Sequence, residues 1–434
     1  MQIDRLARIG VEATWVAVGQ LLAFLGGFAT IKLLTGELGP AAYGQLALGI
    51  SAAGAVHMFI YGPIEQIALR FVSVYRERGR LDLLFGSLRR FHIYAALIVG
   101  ACIVIVTAAL QSLAGGAWSR LILLAMLLGV AGGISTTLAS IQSALRRRAW
   151  VAFFQASDVW LRLLLAVGGL ALTARTADIA LSGFCLAAIT TATVQIVWTM
   201  RSPLICHHLG GHKDQDARTQ REAMAELTAY GRPYIAFAAF AWFSTYCDRW
   251  IILAYLDDKA VGVYAAVFQI ANAPIALFLG LTNQFLVPLI FDRAGGATTQ
   301  SQIHSSARLL HAATAAYVLV LAGIVGAAVI AAEPLVRILT SSEFSAHAGI
   351  LWVVCMGLSL SSTAQLLVIK GLSHGRPQSY VLPKFVQLVL LLASMSLLVK
   401  HLALMGVALS LCISSAGYLA MVVYVNRRLN VRPT

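Results

Sequence analysis

Residues 233–255 read PYIAFAAFAWFSTYCDRWIILAY, and residues 262–287 read GVYAAVFQIANAPIALFLGLTNQFLV. Each run is long enough to cross the roughly 30 Å hydrocarbon core of a bilayer as a helix. The first run nonetheless carries Asp248 and Arg249 deep within it. Ten further apolar runs flank this pair: 13–34, 43–63, 91–111, 121–143, 155–174 and 179–200 before it, then 308–332, 348–369, 379–399 and 402–425 after it. The pattern predicts an all-α, polytopic membrane protein of about twelve transmembrane helices.

Composition agrees. Of 434 residues, 59% are hydrophobic and 12% charged, with mean hydropathy +0.81. Soluble proteins average about 25% charged residues, and no soluble chain of this size has interior enough to hide so much apolar surface. A soluble enzyme is excluded, as is an outer-membrane barrel, which needs alternating strands. The six cysteines are scattered and form no C-x-x-C pair, so no disulfide framework or zinc site is implied. The first apolar run is a full span with no small-residue cleavage site behind it, which reads as a helix rather than a removed signal.

The net charge of +14 is distributed unevenly. With the N-terminus in the cytoplasm, 24 of the 32 Lys and Arg fall on that side, five on the other, and three (Lys32, Arg162, Arg249) within spans. That asymmetry fits an even number of spans with both termini inside. It makes the basic excess a topology signal rather than a nucleic-acid footprint. The longest polar gap divides the chain into a bundle at 1–200, a cytoplasmic linker at 201–232 and a second bundle at 233–434. Segment 38–66 matches segment 256–284 at eight of 29 positions, Gly44 meeting Gly262 among them. This parallel repeat is expected of two six-helix bundles around a central cavity.

A charge inside a bilayer costs about 2.5–3.5 kcal/mol on insertion scales and usually faces a wet cavity or a partner. Five stand inside the spans: Lys32, Asp158, Arg162, Asp248 and Arg249. Asp158 and Arg162 are spaced i, i+4 and share a helix face, as a structural or a coupling pair. Asp248 and Arg249 project about 100° apart, so one is expected to line a cavity while the other braces a neighbour. Lys32 either lines the cavity or snorkels to the outer surface. Glu65 and Gln66 recur as Asn283 and Gln284 in the repeat, either as a cavity mouth or as interface polarity. His57 reads as an interhelical hydrogen-bond partner rather than a proton relay. The run CHHLGGH at 206–212 has metal-ligand residue types but no second cluster, so no metal and no cofactor are expected. There is no Walker A or G-x-G-x-x-G sequence, which argues against ATP-driven transport by this chain alone.

Five stretches carry a family resemblance. TGELGPAAYGQLALGISA at 35–52 resembles the LGPxxYG segment of bacterial polysaccharide-export flippases. IALRFVSVYRERGRLDLL at 67–84 and IQSALRRRAW at 141–150 resemble their cytoplasmic loops, and EPLVRILTSSEFSAHAGIL at 333–351 an outer loop. The stretch 230–271 is similar to the family's run of Tyr230, Pro233, Asp248, Arg249, Val261, Gly262 and Tyr264, departing from it at residues 257–259, DDK.

The resemblance is to the oligosaccharidyl-lipid flippases, in a superfamily shared with multidrug antiporters and the peptidoglycan-precursor flippase. It implies alternating-access transport, not catalysis, in the bacterial cytoplasmic (inner) membrane. The implied cargo is an undecaprenyl-diphosphate-linked oligosaccharide, an O-antigen or exopolysaccharide unit. Implied partners are membrane lipids and the polymerase and glycosyltransferases of the same pathway, with no nucleic acid. Lys32, Glu65, Arg162, Asp248, Arg249, Asn283 and Gln284 are the expected substrate-binding residues. The alternatives are a cation-coupled multidrug antiporter of the same architecture and a membrane polysaccharide polymerase or ligase. The first needs clustered acidic residues in one bundle. The second usually needs a long outer loop.

Overall fold

The structure, a computed structural model, describes residues 2–113, 116–201, 217–294, 300–373 and 377–431. In chain order the helices are α1 (Gln2–Val56), α2 (Gly62–Glu77), α3 (Leu81–Leu113), α4 (Gly116–Ala144), α5 (Arg148–Leu172), α6 (Ala177–Met200), α7 (Ala217–Tyr255), α8 (Asp258–Ala294) and α9 (Gln300–Ile330). Two short helices follow, α10 (Ala332–Leu339) and α11 (Ser342–Ser345), and then α12 (Leu351–Ser373) and α13 (Val381–Val431). Among the described residues, nine helical stretches are long and apolar enough to cross a membrane, and two of them, Thr14–Glu77 and Gln378–Arg428, run for 64 and 51 residues. Each of these two holds a pair of the predicted spans. With α7, 39 residues long, the chain is an all-α polytopic membrane protein of about twelve spans.

The long stretches are broken by backbone rather than by polar loops. In α1 the helix is interrupted at Gly39 (φ 67°, ψ 174°), just before Pro40. Glycine accepts this positive φ freely, and Pro40 supplies no N–H to continue the ladder. In α13 the break falls at Ala403 (φ 46°, ψ −130°), close to the expected division between 379–399 and 402–425. A third irregularity is the π-turn His57–Tyr61 between α1 and α2, closed by a bond from the Gly62 N–H to the His57 carbonyl. Pro63 has no N–H to give the carbonyl four residues back, which accounts for the slipped register.

Packing divides the chain into two units: 1–26 with 45–246, and 27–44 with 247–434. In the first, α6 packs on α4 and α5, and α4 also on α2 and α3. In the second, α12 packs on α8, α9 and α13. Residues 217–232, expected in the linker, are helical. They begin α7, with Leu227 and Ala223 buried and the polar face docked within the first unit. There Tyr75 donates to Glu226 (2.7 Å), Arg78 pairs with the same carboxylate (3.2 Å), and Gln220 donates to Ser87 (2.7 Å). A charge-rich amphipathic helix beyond the bilayer reads as a loop by composition alone. Residues 202–216, with the CHHLGGH run, lie outside the described residues.

In the second unit the two glycines paired by the sequence repeat touch each other. A Cβ on Gly262 would lie 1.9 Å from the Pro40 carbonyl oxygen, and one on Gly44 would lie 2.8 Å from the Gly262 nitrogen. Backbones meet there with no room for a methyl group. Gly262→Ala is therefore expected to destabilise by about 1–3 kcal/mol through overpacking. Gly323→Ala, whose Cβ would meet nothing within 4 Å, should leave stability unchanged or slightly raised. Thermal unfolding of the two variants in detergent, side by side, checks this.

Candidate functional site: a polar pocket inside the first unit

Within the first unit a pocket of about 280 Å³ opens among the π-turn, α4, α5, α6 and α7. The α5 contribution is a stripe: Val151, Gln155, Asp158 and Arg162 line one wall, at spacings that put them on one helix face. Gly132, Ser135 and Thr136 come from α4, Gln195 from α6 and Tyr246 from α7. His57 enters from the π-turn and makes a 3.0 Å hydrogen bond with the Thr136 hydroxyl. Gly133, beside the pocket, lets the Tyr61 ring lie where a Cβ would stand, 2.1 Å away. Gly132 differs: a Cβ there would meet nothing within 4 Å.

Asp158 and Arg162 pair as their i, i+4 spacing predicts, Nη2 to Oδ2 at 2.7 Å, with side chains 20% and 30% exposed. The pair does not exhaust its groups. Asp158 Oδ1, Arg162 Nε and the Gln195 side-chain oxygen are buried without a hydrogen-bond partner in the structure. Gln195 itself is 5% exposed. The Glu65 carboxylate lies 3.8 Å from His57 Nε2 and also engages Ser140. The structure thus gathers three of the predicted residues, Glu65, Asp158 and Arg162, around His57. Gln155, Gln195, Ser135 and Thr136 escaped the sequence reading.

The remaining predicted residues belong to the second unit. Arg249 and Asp248, expected to point apart, meet: Arg249 Nη1 lies 3.0 Å from Asp248 Oδ1, which also accepts the Arg249 backbone N–H at 2.8 Å. The long arginine side chain folds back across the 100° that separates the two Cβ atoms. Both residues are buried, the guanidinium 5.2 Å over the Phe268 ring, with the buried Tyr264 hydroxyl hydrogen-bonded to Asp248. Lys32 is exposed and donates to the Thr340 carbonyl at 2.6 Å and to that of Arg337 at 3.5 Å. It therefore caps the carbonyl end of α10. Asn283 is exposed on α8, while the Gln284 side chain lies outside the described residues. Among the described residues no group of three His, Cys, Asp or Glu side chains could hold a metal ion.

Long kinked helices, most of them apolar enough to cross a bilayer, and a polar pocket within the first unit define a polytopic α-helical membrane protein. Over residues 9–293 the chain matches the polysaccharide biosynthesis protein family, and it belongs to that family. No curated protein sequence matches it. Solved structures share its fold nearly end to end. An inward-facing multidrug resistance MATE family transporter of the MOP superfamily aligns with TM-score 0.67 at 12% identity, over 97% of this chain and 94% of its own. The lipid II flippase MurJ, in an inward closed conformation, aligns with TM-score 0.68 at 13% identity, over 96% and 87%. The Vibrio cholerae MATE transporter VcmN in its bent form aligns with TM-score 0.57 at 16% identity, over 99% and 98%. What the chain shares with these structures is the fold.

Removing one member of a buried pair strands the other, at about 3–5 kcal/mol when burial is complete; partial exposure of Asp158 and Arg162 makes the expected loss smaller. Arg162→Ala should lower the thermal midpoint in detergent, and the double variant Asp158→Asn with Arg162→Gln should recover most of it. A single variant as stable as the double would show that the pair holds nothing together.

Proposed function

We propose that the chain moves an undecaprenyl-diphosphate-linked oligosaccharide from the cytoplasmic to the outer leaflet by alternating access. Membership of the polysaccharide biosynthesis protein family carries this reading, and the fold shared with a lipid II flippase supports it. A saccharide headgroup cannot enter hydrocarbon without replacement hydrogen bonds, and the pocket around Asp158, Arg162 and Gln195 offers them. Outward movement of a diphosphate runs with an inside-negative potential, worth roughly 2.3 kcal/mol per charge per 100 mV.

A second reading is a cation-coupled multidrug antiporter. Multidrug transporters recur among the solved structures with this fold. Asp158, with one oxygen unused in a pocket of the first unit, is the type of carboxylate that cation exchange requires. A polymerase or ligase has less behind it: the outer segment between α9 and α12 is short and largely helical.

Deleting the gene separates the readings. The flippase reading expects loss of surface polysaccharide, lipid-linked saccharide held on the cytoplasmic leaflet, and rescue by the intact chain. Normal surface polysaccharide together with heightened sensitivity to cationic drugs would establish the antiporter instead.

A further inference from the structure

We propose that the pocket of the first unit binds a single neutral pyranose ring of the cargo. The inference rests on the export reading for its biological meaning, but its chemistry comes from the pocket itself. Three buried polar atoms on the walls have no partner: two acceptors, Asp158 Oδ1 and the Gln195 side-chain oxygen, and one donor, Arg162 Nε. Hydroxyl groups satisfy both kinds at once, because each donates one hydrogen bond and accepts others. Gln195 is nine-tenths buried, so its orphan oxygen is costly unless a ligand meets it.

Charge points the same way. Asp158 and Arg162 neutralise each other at 2.7 Å, so this wall offers no net charge to a phosphate or to an organic cation. Tyr246 and Thr136 line the same pocket. An aromatic face with amide, hydroxyl and paired ionic groups suits a ring that is apolar on its C–H face and hydroxylated at its rim. Size limits the occupant. At about 280 Å³ the pocket falls just below the roughly 300–1,000 Å³ of drug-sized sites. It is matched to one sugar ring, not to an oligosaccharide.

The test uses the purified full chain in detergent and a panel of methyl pyranosides of gluco, galacto, manno and N-acetylglucosamine type. Saturation-transfer NMR, with competition, reads binding. At least one pyranoside should bind. Gln195→Leu should weaken it about ten-fold, the equivalent of 1.4 kcal/mol. Gly132→Leu should abolish it, because its side chain grows into open pocket space on a helix that favours leucine over glycine. A thermal melt matching the wild type shows that Gly132→Leu has folded, and so keeps the test valid if Gln195→Leu fails to fold. No binding by any pyranoside, or unaltered binding in folded Gly132→Leu, overturns the proposal. So does binding of tetraphenylphosphonium in place of the sugars. The export reading fails separately, through surface polysaccharide that persists without the gene, and sugar binding read by NMR is independent of that result.

Discussion

Hydrocarbon does not tolerate an uncompensated charge, and the interior of this chain is arranged around that constraint. Each of the five charges that stand well inside the predicted spans has a counterpart. Asp158 has Arg162, Asp248 has Arg249, and Lys32 has the carbonyl end of a short outer helix. Lys384, near the start of α13, follows the same rule with a neutral partner: its ammonium lies 3.0 Å from the Gln387 side-chain oxygen and 4.3 Å from the Tyr418 ring centroid. Compensation of this kind lets a helix keep polar groups at bilayer depth without distorting its neighbours. It also changes what those groups can recognise. A lone arginine selects anions, whereas an arginine already bound to a carboxylate presents a dipole with spare donors and acceptors.

The two ion pairs use compensation differently. Asp248 and Arg249 are both buried and are enclosed by Phe268 and Tyr264, with the same carboxylate oxygen held by backbone as well as side chain. That arrangement locks one helix face in the second unit. Asp158 and Arg162 are partly exposed and border a cavity. Their neighbours include a π-turn, a feature that often marks functional sites because it re-aims side chains that a regular helix would turn elsewhere. The first pair thus reads as scaffold and the second as a pair that also borders a cavity.

What the sequence disclosed follows from which signals are local. Span number, the i, i+4 pair and the division between the first two spans depend on residues close together in the chain, and all were legible. So was the glycine match between 44 and 262, although its cause, a backbone contact too tight for a methyl group, needed coordinates. The pocket was only half legible. Asp158 and Arg162 stand out because charge in a span is rare. Gln195, Thr136 and Ser135 do not, since single amides and hydroxyls are common in membrane helices and come here from two different helices. The division between the last two spans was legible, but its place at Ala403 was not: alanine is the best of helix formers, and nothing local marks it for a positive φ. The meeting of Asp248 with Arg249 was missed because Cβ direction was taken as side-chain direction, which fails for a side chain as long as arginine.

The neutral character of the pocket bears on how such a protein could handle a cargo with two chemically distinct parts. A lipid-linked saccharide joins a charged diphosphate to a largely uncharged sugar, and one site cannot suit both. A strongly cationic site would hold the diphosphate tightly and release it slowly, which works against turnover. A net-neutral site gains its affinity from several hydrogen bonds of modest strength, each about 0.5–1.5 kcal/mol net. Such a site can select for the headgroup while still letting it go. If the pocket holds the headgroup as proposed, the half-buried salt bridge at its wall would serve release as much as binding. It would cancel the charge that otherwise traps an anionic group, while leaving Asp158 Oδ1 and Arg162 Nε open to a hydroxyl.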